Sequence, residues 1–134
     1  MEKLFKIIVI TSYIAFLIYF FNPYLTMSLY SEFTLEALSW EGYGALVYMD
    51  SLVGYLLLAA YTIVLIGLLR FMAWARAFFI SLTLISIVFT GVQGLVVLMP
   101  FDSVLVYIMN LLDGAAIIMM FTNPISNLFN KETQ

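Results

Sequence analysis

Charged residues are so sparse in this chain that they divide it into long stretches with almost no charge. Residues 7–31, 51–69 and 77–101 carry none, and residues 103–130 carry only Asp113. An α-helix needs about 20 mostly apolar residues to cross the hydrocarbon core of a bilayer. Each stretch is long enough. Each is continuously apolar rather than alternating, which favours helices over barrel strands. The expected fold is therefore an all-α membrane protein, a four-helix transmembrane bundle forming a single domain over 1–134. The spans fall at about 4–21, 51–69, 77–98 and 103–121, with 22–50 as an outer loop. The second span could begin as early as Gly44, because the residues after it are also apolar.

Composition supports a lipid environment. Charged residues make up 10%, against roughly 25% in soluble domains. A soluble chain of 134 residues with 65% apolar content and a mean hydropathy of +1.11 would leave too much apolar surface in water. The same composition excludes whole classes of chemistry. Without cysteine there are no disulfides, thiolate metal sites or thiol nucleophiles. Without histidine the commonest general base and metal ligand are missing. Phosphate-loop, zinc and serine-hydrolase motifs are absent, and the methionines are scattered. The net charge of −3, with no basic cluster, gives no reason to expect nucleic acid. A non-enzymatic protein without a cofactor is expected.

The helix breakers fit the spans. Asn22-Pro23 should end the first, Met99-Pro100 the third and Asn123-Pro124 the fourth, with Asp102 or Ser103 capping the fourth at its start. The short link RFMAWA should make the second and third spans antiparallel neighbours. Lys3 and Lys6 ahead of an apolar run resemble a signal peptide. The following NPYLTMS has no small-x-small cleavage site, so the first span reads as an uncleaved anchor.

The charges also set an orientation. In a four-span topology Lys3, Lys6, Arg70, Arg76 and Lys131 fall on one side, and Glu32, Glu36, Glu41, Asp50 and Asp102 on the other. Bases in short loops stay in the cytoplasm, which places both termini inside and the protein in the inner (plasma) membrane. Arg70, Trp74 and Arg76 read as an interfacial anchor, with an anionic lipid site as the alternative. The outer loop holds Tyr24, Tyr30, Phe33, Trp40, Tyr43 and Tyr48. Leu29, Phe33, Ala37 and Trp40 recur at helical spacing, Ser31 can cap, and Glu32 and Glu36 lie off the apolar face. A short amphipathic helix lying at the outer interface is expected, with Trp40 as an anchor. Its acidic side could instead recruit a partner or cations.

Asp113 is the residue that does not suit lipid. A charge at the bilayer centre costs at least ~2.5–3.5 kcal/mol, and no span contains a base to pair with it. At ~1.5 Å per residue it lies ~15 Å from the outer end of its span. Ser12, Thr62, Ser86 and Thr90 fall near that depth, as do Asn110 and Gln93. Thr83, Ser86, Thr90 and Gly94 share one helical face, which should meet the Asn110/Asp113 face, with Gly114 easing the approach. This candidate polar cluster reads either as a hydrogen-bonded buckle or as a proton or sodium site.

The layout, with RFMAWAR between the second and third spans and DGAAIIMMFTNP near the C-terminus, resembles the small four-helix inner-membrane proteins of bacteria whose role is unassigned. In size and topology it is also similar to immunity proteins that block pore-forming toxins. The resemblance implies an accessory, regulatory or immunity-type protein that contacts another membrane protein. Besides the lipid bilayer, partners would be another membrane protein or the chain itself as a homo-oligomer. Two alternatives stand beside it: an oligomeric H⁺ or Na⁺ pathway through Asp113, and a lipid- or quinone-binding cavity.

Overall fold

The computed structural model of the protein describes residues 1–47 and 51–130. Among these there are helices and turns but no strand: α1 (Glu2–Thr26), α2 (Glu32–Ser39), α3 (Ser51–Leu69), α4 (Ala73–Thr90), α5 (Pro100–Phe121) and α6 (Ile125–Asn130), with a 3-10 turn at Met27–Leu29. Four of them, α1, α3, α4 and α5, are long and apolar enough to cross a membrane. Tyr48, Asp50 and Lys131, all named above, lie outside the described residues. An early start of α3 is not seen, because residues 44–47 form turns and bends.

Two of the expected breaks fall elsewhere. Asn22-Pro23 does not end α1, which continues through Pro23 to Thr26. Proline removes a single backbone donor, and a helix within a turn of its end loses little else by it. The Thr26 hydroxyl also donates to the Asn22 carbonyl at 2.8 Å, a back-bond within the last turn. At the other break, α5 starts at Pro100 itself rather than at Ser103, with proline in the first turn where its missing N–H is no loss. Asp102 therefore sits inside the first turn of α5 and does not cap it.

The third span departs most from expectation. It begins at Ala73 and ends at Thr90, well short of residue 98. Gly91 and Gly94 are poor helix formers. Past them the chain runs without helix to Met99 and bonds its backbone to the outer loop. Gly42 N–H donates to the Leu95 carbonyl at 2.8 Å, Leu95 N–H to Tyr43 at 3.0 Å, and Leu46 N–H to Val92 at 2.9 Å. These bonds form a clasp that gives the backbone of Val92 and Leu95, outside any helix, partners within the protein. Gly94 makes the clasp possible. Its φ is +82°, and a Cβ there would lie 2.6 Å from Ala45 N and 2.7 Å from Tyr43 O.

The long helices form a row rather than a closed ring. α1 has its broadest contact with α5, α3 lies against both α1 and α4, and α6 touches α5 and α4. The order is α5–α1–α3–α4, with α6 bridging its two ends on one side. The expected meeting of the Ser86/Thr90/Gly94 face with the Asn110/Asp113 face is not made; α4 lies along α3. In α1 the buried residues Phe5, Val9, Ser12, Ala15 and Asn22 follow one helical face. In α5 Asp102, Leu105, Ala116, Met119 and Met120 do the same. Two narrow matching faces of this kind are what an antiparallel helix pair requires.

The core is concentrated at the end where α1 begins. Phe5, Leu68, Ala75, Met120, Ile125 and Phe129 are fully buried. The rings of Phe5, Phe71 and Phe129 meet pairwise, with centroids 5.3–5.9 Å apart. α6, not foreseen from sequence, provides Ile125 and Phe129. Lys6 lies 5.2 Å over the Phe71 ring, and Arg76 lies 5.3 Å and 5.9 Å over Phe121 and Phe129. The turn from α3 to α4 is a Schellman motif: Met72 N–H donates to Gly67 and Phe71 N–H to Leu68. Phe71 holds its left-handed position with φ 58°, where glycine is usual. Gly67 is itself closely packed, since a Cβ there would lie 2.6 Å from the Ala75 Cβ.

The opposite end is open. Ala75, Phe79, Leu82, Ser86 and Thr90 recur at steps of three or four along one face of α4. That face is buried at Ala75 and Phe79 but exposed at Ser86 and Thr90. From Leu84 to Val88 α4 is exposed on every side. Gly94→Ala should lower stability by about 1–3 kcal/mol, because it forces a methyl group against backbone at positive φ. Gly91→Ala, which has room for a Cβ and φ −76°, should stay within about 0.5 kcal/mol of wild type. Thermal unfolding of both variants in one detergent checks the difference.

Candidate functional site

A set of polar side chains crosses the row of helices at one level. The Ser12 hydroxyl of α1 donates to Asp113 Oδ1 of α5 at 2.5 Å. Next to Ser12, the Tyr13 hydroxyl lies 2.6 Å from Thr62 Oγ1 of α3. Thr62 gives its own hydrogen to the Leu58 carbonyl at 2.7 Å, so Tyr13 is the donor. Next to Thr62, the Tyr61 hydroxyl lies 3.3 Å from Ser86 Oγ of α4. At this level each neighbouring pair in the row α5–α1–α3–α4 is thus joined by a side-chain hydrogen bond. Adjacent residues on α1, and again on α3, point to opposite neighbours, which a helix turning 100° per residue allows.

Ser12, Thr62, Ser86 and Asp113 enter this belt, though as three separate pairs and not as one cluster. Thr90 returns its hydroxyl to the Ser86 carbonyl at 2.9 Å within its own helix. Gln93 lies beyond the end of α4, in the turn that leads to the clasp. Asn110 is exposed and takes no part. Tyr13 and Tyr61 were not singled out in the sequence. Their depth was the available signal: tyrosine favours the membrane surfaces, so a tyrosine in the middle of a span has a reason to be there.

A second pairing joins α1 and α5 nearer the open end. Asn22 Nδ2 donates to Asp102 Oδ1 at 2.6 Å, with both residues buried. Asn22 is on the same face of α1 as Ser12, so these two bonds pin one interface at points roughly 15 Å apart along the helix. Glu41, in the outer loop, is pushed above the ordinary carboxylate range by partial burial and then by the Asp102 carboxylate.

A cavity of about 30 Å³ adjoins the belt. Ser12, Tyr13, Tyr61 and Asp113 contribute polar groups, and Phe16 and Phe79 are among the apolar side chains around them. That volume holds one water molecule. Among the described residues no three acids are grouped to hold a metal ion. Asp113, which accepts from the Ser12 hydroxyl, can accept further hydrogen bonds, hold a proton or bind a small cation.

The anchors lie in different settings. Trp40, at the end of α2, is exposed, as are Phe33 within α2 and Leu29 in the 3-10 turn before it; the extended Tyr30 and Ser31 take Leu29 off the expected helical face. α2 has the expected cap, Ser31 Oγ accepting from Thr34 N–H at 3.3 Å. Trp74 is partly exposed and packs edge-on against Phe78 with centroids 5.9 Å apart. Arg70 is exposed, whereas Arg76 is half-buried over its two rings. Compared with protein-family models, with curated proteins and with solved structures, the chain matches none.

A double-mutant cycle with Ser12→Ala and Asp113→Asn should give a coupling of about 0.6–1.7 kcal/mol, the range of interhelical bonds in membranes. Both variants leave a carboxyl group without its partner, and Asn22→Ala should cost more than Ser12→Ala because Asp102 is more deeply buried than Asp113. Glu41 sets a pH dependence. Its folded-state pKa is raised, so the folded protein binds the extra proton, and stability falls as pH rises from the ordinary carboxylate range through the raised value. Glu41→Gln should remove that component, as read from unfolding midpoints across acidic to neutral pH.

Proposed function

We propose that this chain is a non-enzymatic, multi-pass protein of the inner (plasma) membrane that acts by contact with another membrane protein, in an accessory, regulatory or immunity-type role. The observation that carries this reading is the open half of α4. A spanning helix normally packs one face on its own bundle. Here the face that buries Ala75 and Phe79 carries Ser86 and Thr90 into the open: Ser86 meets the Tyr61 hydroxyl of α3, yet both residues stay exposed. Small and hydroxyl side chains on an uncovered face let another helix approach closely and bond across the contact.

The surroundings agree. Lys6 and Arg76 gather at the closed end, and Asp102 and Glu41 at the other. By the positive-inside preference the closed end and both termini face the cytoplasm. The exposure of Leu29, Phe33 and Trp40 supports an interfacial position for α2 and its flanks on the outer side, where apolar side chains have lipid to enter.

A second reading has one observation in its favour, the cavity against Asp113. A single water or sodium ion held there would make the belt a proton or sodium station. Liposomes with Asp113→Asn would then lose the ion flux of wild type, and equal flux would remove this reading.

The contact reading is tested with a photo-crosslinking side chain placed at Ser86 or Ile87 in living cells. A specific adduct with a second membrane protein, absent when the probe is moved to the buried Phe79, is the expected result. Adducts with lipid alone would overturn it.

A further inference from the structure

The α4 face is not the only one left uncovered. α5 buries Asp102, Leu105, Ala116 and Met120 against its neighbours. On its opposite side Tyr107, Leu111 and Ile118 are among the most exposed side chains of the helix, and Asn110 and Gly114 are exposed between them. The spacing of Tyr107, Asn110 or Leu111, Gly114 and Ile118 is that of a helix-pairing seam.

Asn110 explains why lipid alone is a poor cover for this seam. It is about ten residues, or ~15 Å, from the start of α5, and so deep in the hydrocarbon. Among the described residues nothing hydrogen-bonds its amide. An amide facing hydrocarbon without a partner is strongly unfavourable. Gly114, one turn further on, is a second and separate oddity. A Cβ there would meet nothing within 4 Å, so nothing in this chain requires glycine, yet glycine weakens a helix interior. A close approach from outside the chain accounts for both residues.

We infer that this face of α5 is a homodimer interface, in which a second copy of the chain pairs its α5 in parallel, Asn110 against Asn110. The chemistry selects a second copy. A carboxamide carries both a donor and an acceptor, so it is complementary to itself. All copies inserted in one membrane share an orientation, so a two-fold axis along the membrane normal brings equal depths together. A polar asparagine in an apolar seam fixes register and partner number in the same way. The interface rests on the membrane reading of the four long helices but not on the proposed role of α4.

The chain has no cysteine, so single-cysteine variants report self-contact directly. Under mild oxidation in native membranes, Gly114→Cys and Tyr107→Cys should form disulfide dimers at twice the 15.2 kDa chain mass. Ile108→Cys, exposed on another side of α5, and Ile87→Cys on α4 should not. Asn110→Leu placed in the Gly114→Cys chain should reduce dimer formation at least tenfold while leaving thermal unfolding unchanged; if it unfolds the protein, the cysteine pattern alone decides. Failure of Gly114→Cys to pair with itself would overturn the interface. So would equal pairing by Ile108→Cys, or a product of any other mass. A dimer that persists in the folded Asn110→Leu chain would overturn the role of the amide.

Discussion

Polar groups in hydrocarbon have no water to turn to, and much of this structure follows from where they find partners instead. Asp113 is the most demanding of them. It draws Ser12 across the α1–α5 contact, and with Asn22 bonded to Asp102 on the same face the two helices are fixed in one register. α3 and then α4 are held by the same means, through Tyr13 and Tyr61. Individual bonds of this kind contribute little to stability. What they supply is order, because a row of smooth apolar helices has few other features to distinguish one alignment from another. The same constraint acts on the backbone beyond α4, where leaving the helix at Gly91 is tolerated because residues 42–46 supply the missing partners.

The molecule is unequal along its length. One end is a dense knot of aromatic and aliphatic side chains, closed by α6 and covered by Lys6 and Arg76. The other is looser, with α4 exposed from Leu84 to Val88 and the side chains of Phe33 and Trp40 turned outward. This inequality explains why the site is a line of pairs rather than a pocket. Beyond the belt α1 keeps its contacts with α5, through Asn22 and Asp102, and with α3, through Phe20 and Tyr55, while α4 becomes exposed from Leu84 to Val88.

The span count was legible from the distribution of charge, since sparse charges and long apolar runs are a strong signal. So was the Ser31 cap of α2. Boundaries set by glycine and proline were not. Pro23 is tolerated near a helix end, and the apolar run 95–99 reads as helix unless its backbone partners in a distant loop are known. The Ser12–Asp113 pair could be anticipated by depth alone, as two polar residues at one level. Which face of α4 met which neighbour could not, because a face of small and hydroxyl residues suits several partners equally. The Asn22–Asp102 bond was hidden for another reason: both residues looked like punctuation at helix ends.

Phe71 carries a consequence for the order of assembly. It occupies a left-handed turn position that a bulky side chain resists, and its ring is held between Phe5 and Phe129. Those partners come from the first helix and from α6, near the far end of the described chain. Phe5 precedes the α3–α4 turn in the chain and Phe129 follows it, so only half of the packing around Phe71 exists when that turn is made. α6 completes an aromatic enclosure for a turn that lies more than fifty residues before it.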